Sequence, residues 1–154
     1  MNQTQILNGV NSSNLKRISD HYSIYQETLI KFVITLNESF NFSGFKHGKA
    51  EMDKEIPGKA NIQFCSSKYQ FKLLFDPFNL ATASIALLEE KEGETEKNKT
   101  NEIGRATIDE YGSVSIPGFS TLAKNEPFHN TVVMFFWHCI KEIKKETKVE
   151  NEKE

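Results

Sequence analysis

The chain has 154 residues, of which 38% are hydrophobic and 26% charged, values typical of one globular domain with a single core. Its 19 basic and 21 acidic side chains give a formal net charge of −2, so no basic surface for nucleic acid is expected. The longest apolar run, 132–137, is too short to cross a bilayer, and the N-terminus lacks the pattern of a secretion signal. We therefore expect a cytoplasmic protein that binds neither nucleic acid nor a membrane.

The first predicted element is a helix. Residues 1–17 are polar and aperiodic, and they are expected to form a flexible tail. Ser19 or Asp20 can cap a helix that begins at this point. The apolar residues that follow recur at the helical period: Tyr22, Tyr25, Leu29, Phe32, Val33 and Leu36. Such a stripe predicts a helix packed against a sheet.

Strands are predicted in the middle of the chain. Apolar and polar residues alternate over 60–64 and again over 69–75, with Ser66 and Ser67 as the turn of a hairpin. The segment 80–90 fits two structures. Its alternation favours a strand, whereas its content of Ala, Leu and Glu favours a helix. We expect a strand and keep the helix as the alternative.

A second hairpin is predicted over 106–116. Ala106, Ile108, Val114 and Ile116 would face one way across it. Asp109 can accept hydrogen bonds from the following backbone, and a glycine at position 112 supplies the left-handed conformation that closes the turn.

One charged segment precedes the second hairpin, and another follows the last helix. The segment 89–102 contains no apolar residue and is expected to be a mobile surface loop. The last helix is predicted to begin near Asn125, with Pro127 in its first turn, and a charged tail follows at 147–154. The predicted fold is one α+β domain over 18–146, an antiparallel sheet of about five strands flanked by an N-terminal and a C-terminal helix.

No motif for catalysis, a metal or a cofactor is recognised. Cys65 and Cys139 lie in apolar runs and are expected to be buried free thiols in a reducing compartment. His129 and His138 fall on opposite faces of the last helix, so they cannot share a metal through it. A small enzyme that pairs one of the two thiols with a remote histidine is the catalytic alternative.

A small domain without such motifs is expected to bind another protein. The predicted sheet has a polar face and edges open to strand addition, and surplus aromatic residues can serve an interface. We expect a small bacterial or phage protein that neutralises its partner, as an immunity protein or an inhibitor does. Its candidate contacts are five acidic residues predicted at the surface: Glu89, Glu90, Glu92, Asp109 and Glu110. The oligomeric state is left open.

A different binding function depends on the segment 80–90. If this segment is a helix, the order becomes helix, three strands, helix, two strands, helix, which resembles the order in secretion chaperones. The resemblance covers most of the chain and involves no residue motif. It implies a dimer that presents apolar patches to an extended client.

Overall fold

An antiparallel sheet of six strands packs against an N-terminal and a C-terminal helix. The computed structural model describes residues 3–91, 99–116 and 131–142, with side chains from residue 12 onward. The helix α1 (Gln3–Phe42) comes first, and a second helix, α2, covers 131–142. The strands between them are β1 (Gly48–Met52), β2 (Lys59–Phe64), β3 (Ser67–Asp76), β4 (Asn79–Lys91), β5 (Lys99–Asp109) and β6 (Val114–Ser115). The predicted α+β arrangement is confirmed.

The six strands form a curled meander in chain order, β1 to β6, and every neighbouring pair is antiparallel. The register aligns the apolar residues of successive strands, so that Ile62 lies opposite Tyr69 and Phe71 opposite Leu87. Because side chains alternate along a strand, this register gives the sheet an apolar inner face and a polar outer face.

Both helices pack on the inner face. The ring of Phe71 on β3 lies 5.6 Å from the ring of Phe32 on α1 and 6.3 Å from that of Phe135 on α2. The two helical rings are 6.4 Å apart, so the sheet, α1 and α2 meet in one aromatic cluster. All three residues belong to a single buried core, and burial of each ring contributes about 1.5–3 kcal/mol to folding.

Gly104 sets how closely α2 approaches the sheet. It lies on β5 opposite Leu87, and a methyl group here would collide with the Cys139 sulfur and sit 3.2 Å from the Phe135 ring. The missing side chain therefore makes room for α2. Cys139 is buried at this contact, as predicted.

The predicted start of the first helix is wrong. Ser19 and Asp20 lie within α1, which begins at Gln3 and is 40 residues long, about 60 Å. Core packing begins near Tyr22. A helix already nucleated there can extend backward at low cost, since each further residue adds one hydrogen bond. The spacing of apolar residues cannot predict such an extension, because the described side chains of residues 12–21 lie outside the core. The flexibility expected for residues 1–17 stays a prediction.

The segment 80–90 belongs to β4, so the strand prediction is confirmed and the element order that resembles secretion chaperones does not form. The charged loop predicted over 89–102 is too long. β4 continues to Lys91 and β5 begins at Lys99, because the backbone ladder continues along the hairpin where the side chains face solvent. The remainder, 92–98, lies outside the described residues, as do the predicted helix start at Asn125 and Pro127 and the tail 147–154.

The hairpin over 106–116 has the predicted turn. The Asp109 Oδ1 atom accepts hydrogen bonds from the backbone N–H groups of Tyr111 and Ser113, each at 2.9 Å. Gly112 has a φ of +82°, which requires glycine or a residue that tolerates the left-handed region. The Asp109 side chain therefore shapes the turn.

Across the described part of the chain, no helix combines the length and the apolar character needed to cross a membrane.

Candidate functional site

An apolar groove lies where the end of α1 meets β2 and α2. It encloses about 520 Å³, and ten residues line it: Leu36, Ser39, Phe40, Phe42, Ser43, Phe45, Phe64, Val133, Phe136 and Trp137. We refer to this set as the aromatic groove. None of the ten side chains carries a charge.

A stacked set of rings forms the floor of the aromatic groove. The rings of Phe45 and Phe64 are 5.1 Å apart and nearly parallel, and Phe40 lies 5.6 Å and 6.0 Å from them. Phe136 of α2 contacts the Phe64 ring at 5.6 Å. Gly48, at the start of β1, permits this packing, because a methyl group there would lie 2.8 Å from the Phe40 ring.

Two large apolar side chains at the edge of the groove face solvent. Phe42, on the last turn of α1, is 96% exposed, and Trp137 on α2 is 55% exposed. Trp137 is the single tryptophan of the chain. A contiguous exposed apolar surface is uncommon in a monomeric domain and marks a site of interaction more often than a single exposed residue does.

The hydroxyl groups of the groove are engaged within α1. Ser39 Oγ donates to the Thr35 carbonyl oxygen at 2.8 Å, and Ser43 Oγ donates to that of Phe40 at 3.1 Å. Neither hydroxyl hydrogen is therefore directed at a ligand. The groove offers van der Waals contact and desolvation, with no charged group to orient an occupant.

No protein-family model matches the sequence, and searches of curated proteins and of solved structures find no significant match either.

The five predicted acidic contacts do not form one surface in the described residues. Asp109 and Glu110 lie at the β5–β6 turn, where Asp109 pairs with Thr82 of β4. Glu89 is seven residues farther along β4, about 23 Å away. Glu89 and Glu90 alternate between the two faces of the sheet. Glu92 lies outside the described residues.

The described members of this acidic set act on nearby groups of the same chain. The side-chain amide of Gln70 donates to Glu90 on the outer face. At the opposite end of the sheet, burial raises the pKa of Tyr25, and the charges of Glu110 and Asp109 add to that rise. Burial also raises the pKa of Tyr69, and the charge of Glu89 contributes to this rise. A hydrogen bond with Ser67 acts in the opposite direction and lowers the pKa. These carboxylates influence core tyrosines at separate ends of the fold.

The cysteines differ from each other. Cys65 was expected to be buried, and this prediction is wrong: the residue is exposed in the turn between β2 and β3, with a φ of +56°. Strand β2 ends at Phe64, so Cys65 lies in the turn and does not face the core. Its backbone N–H donates to the His47 carbonyl oxygen at 2.7 Å. Within the described residues, no three His, Cys, Asp or Glu side chains come together as a metal site.

The open edges expected for strand addition are only partly present. On the free side of β1, the Asn37 side chain bonds both backbone groups of Ala50: Ala50 N–H donates to Oδ1 at 2.8 Å, and Nδ2 donates to the Ala50 oxygen. At the other side of the sheet, β6 pairs with β5 only at Thr107 and Ile108. The rest of β5 carries exposed charges at Lys99, Glu102 and Arg105 and a bulge at 103, features that oppose pairing with another chain.

Sequence reasoning missed the aromatic groove because it is assembled from distant segments. One signal was available. Phe42 and Trp137 each lie off the apolar stripe of their helix, beside Phe40 and Phe136, which face the core. A large aromatic residue off the stripe faces solvent, and two such residues can indicate a binding surface.

Proposed function

We propose that this protein is a non-catalytic protein-binding domain and that the aromatic groove is its main contact surface. The observation that carries the proposal is the exposure of Phe42 and Trp137 beside a groove whose lining has no charge. Aromatic residues that become desolvated at the centre of an interface contribute most of its binding energy.

The chemistry of the groove favours an apolar protein segment as its occupant. Sites for small molecules usually place a few polar groups to orient the ligand, whereas both serine hydroxyls here donate within α1. The groove is too small to be a whole dimer interface, because ten residues line it and a stable interface uses about 20–30 residues on each side. It suits two or three large apolar side chains from a partner.

The blocked edge of β1 favours side-chain insertion over strand addition. Asn37 already occupies the backbone groups of Ala50 that a partner strand would need. The partner is therefore expected to present its apolar side chains from a helix or a loop. Neutralisation of the partner, as by an immunity protein or inhibitor, is the narrower form of this proposal and requires that complex formation lower the partner's activity.

Affinity capture from the native host with a matched set of variants tests the proposal. Phe42→Ala and Trp137→Ala remove exposed groove side chains, and Tyr111→Ala removes a side chain that is 85% exposed at the opposite end of the sheet. We expect a stoichiometric partner with the wild type and with Tyr111→Ala, and loss of at least tenfold in affinity with either groove variant, since a central aromatic residue contributes about 2 kcal/mol or more. Equal capture by all four proteins contradicts the proposal.

A further inference from the structure

A second cavity lies at the other end of the sheet, between α1 and the β3–β4 turn. It encloses about 710 Å³, within the range of about 300–1,000 Å³ found for small-molecule sites. One face of α1 forms a wall with Asn14, Leu15, Arg17, Ile18 and His21. Residues 77–81 and Glu110 form the remainder.

The walls of this cavity combine apolar and charged groups, unlike the aromatic groove. Leu15, Ile18 and Leu80 supply apolar surface, and Phe78 at the tip of the β3–β4 turn is 97% exposed. An apolar chain placed between α1 and the turn would bury this surface and gain the free energy of desolvation.

The two opposite charges that line the cavity differ in their contacts with the rest of the chain. The His21 Nδ1 atom lies 2.8 Å from the Arg17 carbonyl oxygen and donates to it, and Nε2 lies 3.7 Å from Glu110 Oε2, a contact that is an ion pair when the imidazole carries both protons. Glu110 thus has a neighbour of its own. The Arg17 guanidinium makes no hydrogen bond or ion pair with the described chain, so its five donors are available to a ligand.

From these features we propose that the cavity binds an amphiphile with one carboxylate head and an apolar body, such as a medium-chain fatty acid. Arg17 binds the carboxylate, since a guanidinium matches its geometry with two parallel hydrogen bonds. The apolar body packs between Leu15 on α1 and Phe78 on the turn. This site is independent of the proposed protein-binding function.

Titration with decanoate and decanol, followed by amide-resolved NMR of the nitrogen-labelled full chain, tests the site. Both probes are kept below the concentration at which they form micelles. We expect saturable shifts with decanoate at residues 14–21 and 77–81, and markedly weaker binding of decanol. Arg17→Gln is expected to weaken decanoate binding about tenfold, the loss of one charge-assisted contact. Lys31→Gln makes the same charge change on an exposed part of α1 and should leave the affinity unchanged.

A second variant tests the apolar part of the site without changing the charge of the protein. Phe78→Ala removes an exposed side chain, so folding should be retained while decanoate affinity falls. The proposal is overturned if decanoate shifts map to the aromatic groove or do not saturate. It is equally overturned if decanol binds as tightly, or if Arg17→Gln and Lys31→Gln behave alike.

Discussion

The side-chain amide of Asn37 takes the place of a neighbouring strand for Ala50. Its oxygen accepts from the Ala50 N–H at 2.8 Å, and its nitrogen donates to the Ala50 carbonyl. One residue of α1 thus satisfies both outward backbone groups of Ala50 on the edge strand β1 and links the helix to the sheet. A helix side chain that covers a sheet edge also prevents pairing with another chain.

Replacement of Asn37 by alanine is expected to destabilise the protein by about 1–3 kcal/mol, because both backbone groups of Ala50 lose their partner. Urea unfolding followed by circular dichroism measures this change. Asn41→Ala, one turn later on an exposed position of α1, is the control and should change the stability by less than about 0.5 kcal/mol. Equal effects of the two variants would show that the Asn37 contact adds no stability.

The two thiols are expected to differ in alkylation at neutral pH. Burial raises the pKa of Cys139 to about 11, so the reactive thiolate is scarce and the sulfur is also inaccessible. Cys65 is exposed and should react readily. Mass spectrometry of protein treated with iodoacetamide should find modification at Cys65 alone. In Cys65→Ser, Cys139 should react only on unfolding, and rapid reaction in the folded state would contradict its placement.

The ionised carboxylate of Asp53 is expected to stabilise the fold at neutral pH. A hydrogen bond from Asn61, followed by the backbone N–H groups of Ile56 and Glu55, lowers the pKa of Asp53 from 3.8 to about 2. A depressed pKa contributes stability above the unfolded value, and this contribution is lost as the pH falls from 3.8 toward 2. Asp53→Asn should therefore be less stable than the wild type at neutral pH. Its free energy of unfolding should also depend less on pH between 3.8 and about 2. Asp20→Asn makes the same substitution at an exposed position on α1 and serves as the control. An equal pH dependence of stability in the two variants would contradict the role of Asp53.

Short-range sequence patterns correctly predicted the hairpin and the strand whose residues carry those patterns. Alternation over 106–116 identified the hairpin, and the roles of Asp109 and Gly112 followed from turn chemistry. The strand at 80–90 was predicted from its alternation, against its helix-favouring composition. The structure follows the alternation because cross-strand burial of Ile85 and Leu87 outweighs intrinsic propensity.

Features that depend on tertiary context escaped prediction. α1 begins far upstream of its packed part because propagation of a helix needs no apolar stripe. Cys65 is exposed because the strand ends one residue before it. The aromatic groove joins the end of α1, Phe64 and α2, and no local pattern reports that these segments meet.

Trp137 gives the most direct test of groove binding because it is the single tryptophan of the chain. Protein labelled with fluorotryptophan should show one fluorine NMR signal from the edge of the aromatic groove. We expect purified partner to shift this signal and to reduce its sensitivity to exchange of the solvent from H₂O to D₂O, as the indole ring becomes buried. If the complex forms and the Trp137 signal keeps its position and its solvent sensitivity, the partner binds elsewhere and the central claim is wrong.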